Sequence, residues 1–182
     1  RDRSPSRGLG DVYKRQDLLR SAQAVESAER TRADLGEIGC SRVETWQAYA
    51  ESAGVELLAA GATSGAVVTV VPGALEQVVD NLIDNAIKYS PAKSTIRLTS
   101  SIKDKTVLLD VIDEGVGISE ADVPHVFDRF YRADLSRSKL NVEGHGLGLS
   151  IAKRLIEQQY GKIRVTSTPG NGSQFTIRLP KA

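Results

Sequence analysis

The chain has 182 residues, 40% of them apolar and 26% charged, enough for one well-buried core and a small appendage. No run approaches the roughly 18 apolar residues that a membrane span needs, no signal peptide opens the sequence, and a single Cys40 excludes an internal disulfide and fits a reducing compartment. Residues 1–16 hold five Lys/Arg against two Asp, so the remainder carries 19 basic and 21 acidic residues, and the formal charge of +1 makes no case for nucleic acid.

The leader, RDRSPSRGLGDVYKRQ, has no apolar periodicity and reads as translated adapter sequence or a native disordered arm. From Asp17 to about Ala33 the spacing turns helical, with Leu18, Leu19, Ala22, Val25 and Ala28 near one face, until Gly36 and Gly39 interrupt it. A second amphipathic helix is expected over Val43–Ala53, with Ser41 as its N-cap. Two strand-like runs follow, Val55–Ala59 and Val67–Val71, across a Gly/Ser-rich turn.

The strongest helix pattern is PGALEQVVDNLIDNAIKYS, opened by Pro72 and ended by Ser90-Pro91. Leu75, Val78, Val79, Leu82, Ile83, Ala86 and Ile87 form its core-facing stripe. STIRLTSSI and TVLLDVID read as antiparallel strands turning at Lys103-Asp104, and Ser119 with Asp122 reads as a capping box for a short helix ending near Val126. After an irregular charged stretch, a helix is expected over Leu147–Tyr160, then a hairpin pairing KIRVTS with SQFTIRL. This order predicts an α+β protein, a two-layer α/β sandwich with a mixed, mostly antiparallel sheet.

Three elements carry chemistry. Asn81, Asn85 and Lys88 share one helix face at the margin of the apolar stripe. An amide oxygen is a hard ligand for Mg²⁺ and a Lys adds charge for phosphate, although a solvated face accounts for these residues equally well. DEGVGI (residues 113–118) places a carboxylate at a strand end, where it can accept from an exocyclic amine, with glycines that admit close backbone approach; taken alone it is also compatible with a simple turn. GHGLGL (residues 144–149) precedes a helix, whose exposed N–H groups suit a polyphosphate.

Taken together, NLIDNAIKYSP, DEGVGI, FDRFYRAD and GHGLGLSIAK resemble, in order, the N, G1, F and G2 boxes of the catalytic domain of bacterial sensor histidine kinases, and STPGNGSQFTIRLP resembles that domain's closing hairpin. The resemblance covers about residues 34–182 and implies the Bergerat-type ATP-binding fold of histidine kinases, DNA gyrase and MutL. It implies Asn85 as the Mg²⁺ ligand, with Asn81, Lys88 and Tyr89 beside phosphate or sugar. Asp113 would bind the adenine amine in a pocket shaped by Gly115, Gly117 and Ile118. Gly144, His145, Gly146, Leu147 and Gly148 would hold phosphates at the base of a mobile lid over residues 128–144. Phe127 and Phe130 would anchor that lid, although packing describes them better, and Arg132 would reach the γ-phosphate.

The hydrolytic relatives place a water-activating Glu where Asn81 stands, so the resemblance implies ATP held for a protein nucleophile rather than for water. The histidines His125 and His145 both lack the family's acceptor setting, so the acceptor is expected on a dimerisation helix absent from this chain, with residues 17–33 the remnant of its second helix. The implied partners are that acceptor domain, within a homodimeric parent anchored in the bacterial inner membrane, and a response regulator; this domain would be cytoplasmic. The alternative is a non-catalytic ATP-binding regulatory or interaction module of the same fold.

Overall fold

Every residue of the predicted apolar stripe at 75–87 is buried, none more than 4% exposed. In this computed structural model, which describes residues 29–61, 63–132 and 146–182, the stripe belongs to the central helix. In chain order the elements are β1 (Thr31–Asp34), α1 (Leu35–Ser52), β2 (Glu56–Ala59), β3 (Val67–Val70), α2 (Ala74–Tyr89), β4 (Thr95–Lys103), β5 (Thr106–Asp113), a 3₁₀ turn (Val123–His125), α3 (Gly148–Gln158), β6 (Lys162–Ser167) and β7 (Ser173–Pro180). The leader and residues 17–28 lie outside the described residues.

A five-stranded sheet runs in the order β2-β4-β5-β7-β6, with β2 parallel to β4 and every other pair antiparallel. In β5 burial alternates strictly: Val107, Leu109, Val111 and Asp113 are buried, and the residues between them are only half-buried. The buried face packs under the three helices, giving the two layers expected, while the other face carries polar groups such as Arg97, Asp110 and Thr176. The two short strand-like runs do not pair with each other. Instead β3 joins β1 in a separate antiparallel ladder, Thr31 opposite Val70 and Asp34 opposite Val67.

That ladder corrects the helix expected to run to Ala33, because Thr31–Asp34 exchange their backbone hydrogen bonds with β3 instead. It also moves the start of α1. Asp34, not Ser41, is the N-cap, accepting from Gly36 N at 2.8 Å and Glu37 N at 3.3 Å. The helix then runs through Gly36 and Gly39, which were expected to interrupt it. A Cβ at Gly36 would stand 3.0 Å from Ser100 Oγ and one at Gly39 3.4 Å from Leu109 Cδ1, so these glycines let α1 lie close on the sheet.

Pro72 precedes α2 rather than opening it; Gly73, at φ +81°, is the N-cap residue. At the other end Ser90 is extended, as its position before Pro91 requires. Asp80 ties α2 to α1, its Oδ1 accepting from Arg42 Nε at 2.9 Å and Trp46 Nε1 at 2.7 Å.

Candidate functional site

Between the C-terminal half of α2, the turn after β5 and the start of α3 lies a cleft open to solvent, about 640 Å³ when the open solvent at its mouth is included. Asn85 and Tyr89 form one wall, Asp113 and Ser173 the floor, Gly117 and Ile118 the turn side, and Tyr131 and Arg132 the opposite side. Of the predicted residues, the structure therefore brings together Asn85, Tyr89, Asp113, Gly117, Ile118 and Arg132.

Asp113, at the end of β5, is 6% exposed. Its Oδ1 accepts from Gly115 N at 2.8 Å and Ser173 N at 3.2 Å, and its Oδ2 has no hydrogen-bond partner among the described residues. Burial pushes this carboxyl above the usual carboxylate range, against the pull of the Gly115 and Ser173 amides. A carboxylate held through one oxygen in a mostly apolar cleft presents the other as an oriented acceptor.

The two turn glycines lie close against the protein's own backbone. A Cβ at Gly115 would lie 2.6 Å from the Tyr89 carbonyl oxygen, and one at Gly117, whose φ is +71°, 2.2 Å from the Thr168 carbonyl oxygen. Val116 N donates to Tyr89 O at 3.1 Å and Gly170 N to Val116 O at 2.8 Å. The turn is thus wedged between the end of α2 and the β6–β7 hairpin.

Asn81 stands beside the cleft against the first turn of α3: a Cβ at Gly148 would be 3.5 Å from its Oδ1. Its Nδ2 is buried without a hydrogen-bond partner among the described residues. Lys88 turns instead to Asp84, one helical turn back, in an ion pair. Leu147, the N-cap residue of α3, makes no side-chain hydrogen bond to the first N–H groups of the helix. Gly146 accepts from Phe130 N at 2.9 Å. Gly144, His145 and residues 133–143 of the expected lid lie outside the described residues. Phe127 packs against the core, its ring edge-on to Phe175 with centroids 6.3 Å apart, whereas Phe130 is 60% exposed.

Ser173, Tyr131 and Leu149 line the cleft without having been assigned roles from the sequence. The register that pairs Asp113 with Ser173 brings the latter in; only the hairpin sequence before it hinted at a turn.

Residues 70–182 match the family model described as histidine kinase-, DNA gyrase B-, and HSP90-like ATPase. The signal transduction histidine-protein kinase ArlS of Staphylococcus epidermidis is 41% identical over 105 residues, which are 58% of this chain and 23% of that protein. The chain thus spans about a quarter of this curated relative. Full-length ShkA in complex with AMPPNP superposes with a TM-score of 0.75 at 26% identity, covering 86% of this chain and 32% of that one. The nucleotide-free catalytic domain of the histidine kinase ThkA does so with a TM-score of 0.72 at 25% identity, covering 84% and 96%. With its buried carboxylate at the cleft and a family match over more than half its length, the chain belongs to the family of histidine kinase-, DNA gyrase B- and HSP90-like ATPases, as an ATP-binding domain of the kind sensor histidine kinases carry.

Proposed function

We propose that this domain holds Mg·ATP and delivers its γ-phosphoryl to a histidine on a dimerisation helix of its parent sensor kinase, for relay to a response regulator. The observation that carries the reading is Asp113, buried at the cleft floor with one oxygen fixed by two amides and the other free of partners among the described residues. That geometry suits the adenine amine, a donor of matching polarity.

The remaining residues fit the same ligand. Asn85 brings a half-buried amide to the cleft wall, its side chain without a hydrogen bond among the described residues. No cluster of three His, Cys, Asp or Glu stands ready for a metal among the described residues, so phosphate oxygens and water would complete the shell of an ion held by Asn85. Bound Mg²⁺ would neutralise phosphate charge. The start of α3, where Leu147 makes no side-chain cap bond, would offer N–H groups to phosphate, and Asn81, against Gly148, packs that start onto α2. Arg132 lines the cleft, where its cation suits the γ-phosphate. Lys88 would leave Asp84 to take part. Asn81 cannot act as a general base near neutral pH, so catalysis would consist of positioning and charge neutralisation.

The test is incubation with γ-labelled ATP, alone and with an added acceptor-helix domain from a sensor kinase. Label should appear on the added domain and not on this chain, because a nucleophile must reach within about 3–3.5 Å of the phosphorus. His125 is instead exposed in the 3₁₀ turn, its Nδ1 3.0 Å from Asp128 Oδ2. Labelling at His125 or His145 would overturn the proposal. ATP binding without transfer to any acceptor would favour the non-catalytic module.

A further inference from the structure

The stretch between β5 and α3 holds a set of polar side chains that nucleotide binding alone does not explain. Ser119 Oγ donates to Asp122 Oδ2 at 2.7 Å and accepts from Asp122 N at 3.2 Å; the second bond is half of the expected capping box, while the N-cap of the 3₁₀ turn is Asp122 itself. Asp122's other oxygen, Oδ1, accepts the phenolic O–H of Tyr131. One carboxylate thus ties the beginning of the turn to a ring nine residues later.

That ring is part of the cleft. Tyr131 and Arg132 line it side by side, and the backbone just before them is held from another direction. Phe130, at φ +64°, donates its N–H to Gly146 O, and a Cβ at Gly146 would lie 2.7 Å from Tyr131 O. The Tyr131 side chain is therefore fixed at both ends: its backbone lies against Gly146, and its hydroxyl is bonded to Asp122. With both ends held, the ring loses the rotamer freedom that ligand binding would otherwise have to remove.

We propose that Asp122 is a positioning residue for nucleotide binding: anchored by Ser119, it holds the Tyr131 hydroxyl and so fixes the aromatic side of the cleft next to Arg132. The proposal rests on the nucleotide reading of the cleft. A carboxylate suits the task because it accepts from both hydroxyls at once, whereas an amide offers a single acceptor oxygen. The Tyr131 bond, then the Ser119 bond, hold the Asp122 carboxyl below its ordinary range, and the Asp122 bond pushes the Tyr131 phenol up. Among the described residues, the other ionisable groups beside this pair are His125, whose ring lies 5.5 Å from that of Tyr131, Asp128, and Arg132 next to Tyr131 in the cleft lining.

The experiment compares Asp122→Asn, Tyr131→Phe and the double variant of the full chain in two measurements. Ultraviolet titration of tyrosine ionisation, with Tyr131→Phe assigning the Tyr131 step among the five tyrosines, should show that step moving to lower pH in Asp122→Asn. Displacement of a fluorescent ATP analogue by ATP should show each single variant binding about three- to tenfold more weakly, the size of one lost hydrogen bond, and the double variant no more weakly than either single. Asp113→Asn runs beside them as a control on the site itself. If Asp113→Asn weakens ATP binding and Asp122→Asn does not, the positioning role is refuted while the nucleotide site stands. If neither variant alters binding, both fall. An unmoved Tyr131 step in Asp122→Asn would also refute the proposal, since the bond itself would then be absent.

Discussion

Asp113 and Ser173 are 60 residues apart in sequence and joined by a 3.2 Å hydrogen bond from the Ser173 amide to Asp113 Oδ1. The bond sits at the end of the β5–β7 ladder, where a Cβ at Gly172 would lie 1.9 Å from the Asp113 carbonyl oxygen. It fixes one carboxylate oxygen and leaves the other as the acceptor that the cleft presents.

Asp113→Asn should test that acceptor. The amide keeps Oδ1 for Gly115 and Ser173 but puts a donor where Oδ2 stood, opposite the adenine amine. A mismatched buried group costs about 1–3 kcal/mol, so ATP affinity should fall roughly 5- to 150-fold, with reduced preference for ATP over GTP. Titration calorimetry on the folded variant measures both. Unchanged affinity and preference would reduce Asp113 to a turn residue.

The acidity of Asp113 makes a second prediction. Burial raises its carboxyl in the folded chain above its ordinary value of 3.8, so the folded state favours the protonated form. Its contribution to stability is therefore fully present below 3.8 and is lost as the pH rises through the raised folded value. Binding runs the other way, because the adenine amine needs the ionised acceptor. ATP affinity should weaken as the pH falls through that raised value, and Asp113→Asn should flatten the response. A wild-type profile as flat as the variant's would contradict the assignment.

Asn85→Ala should separate metal from nucleotide. Loss of even an outer-shell partner costs about 10–100-fold in metal affinity, so loss of a direct ligand should weaken Mg·ATP at least about tenfold. Binding of ATP in EDTA should change much less. Equal losses with and without Mg²⁺ would remove Asn85 from the metal site.

Stability should respond to Asp80, which receives both Arg42 and Trp46 across α1 and α2. Asp80→Ala strands two half-buried donors and should cost about 1–3 kcal/mol, whereas Trp46→Phe removes one bond and should cost about 0.5–1.5 kcal/mol. Trp46 is the sole tryptophan, so urea unfolding of Asp80→Ala can be followed by its fluorescence; circular dichroism serves for Trp46→Phe. ATP binding to folded Asp80→Ala should survive, because Asp80 does not line the cleft.

Much of this was legible from local pattern. The stripe on α2, the alternation in β4 and β5 and the closing hairpin all depend on residues near one another in the chain, where periodicity and turn chemistry act directly, whereas Tyr89 came in only through the family resemblance. The start of α1 was not legible. Its N-cap Asp34 is set by the ladder of Thr31–Asp34 with β3, and its passage through Gly36 and Gly39 depends on Ser100 and Leu109 from the sheet beneath.

Tertiary structure also divided the polar face of α2, where Asn81, Asn85 and Lys88 look equivalent by spacing. Asn85 faces the cleft, Asn81 packs on Gly148, and Lys88 pairs with Asp84. Helical periodicity assigns a residue to a face; which neighbour occupies that face is decided by elements far away in sequence. The same holds for Ser173 beneath Asp113 and for Asp122 holding Tyr131, since strand register and chain reversal bring those pairs together and no local signal encodes them.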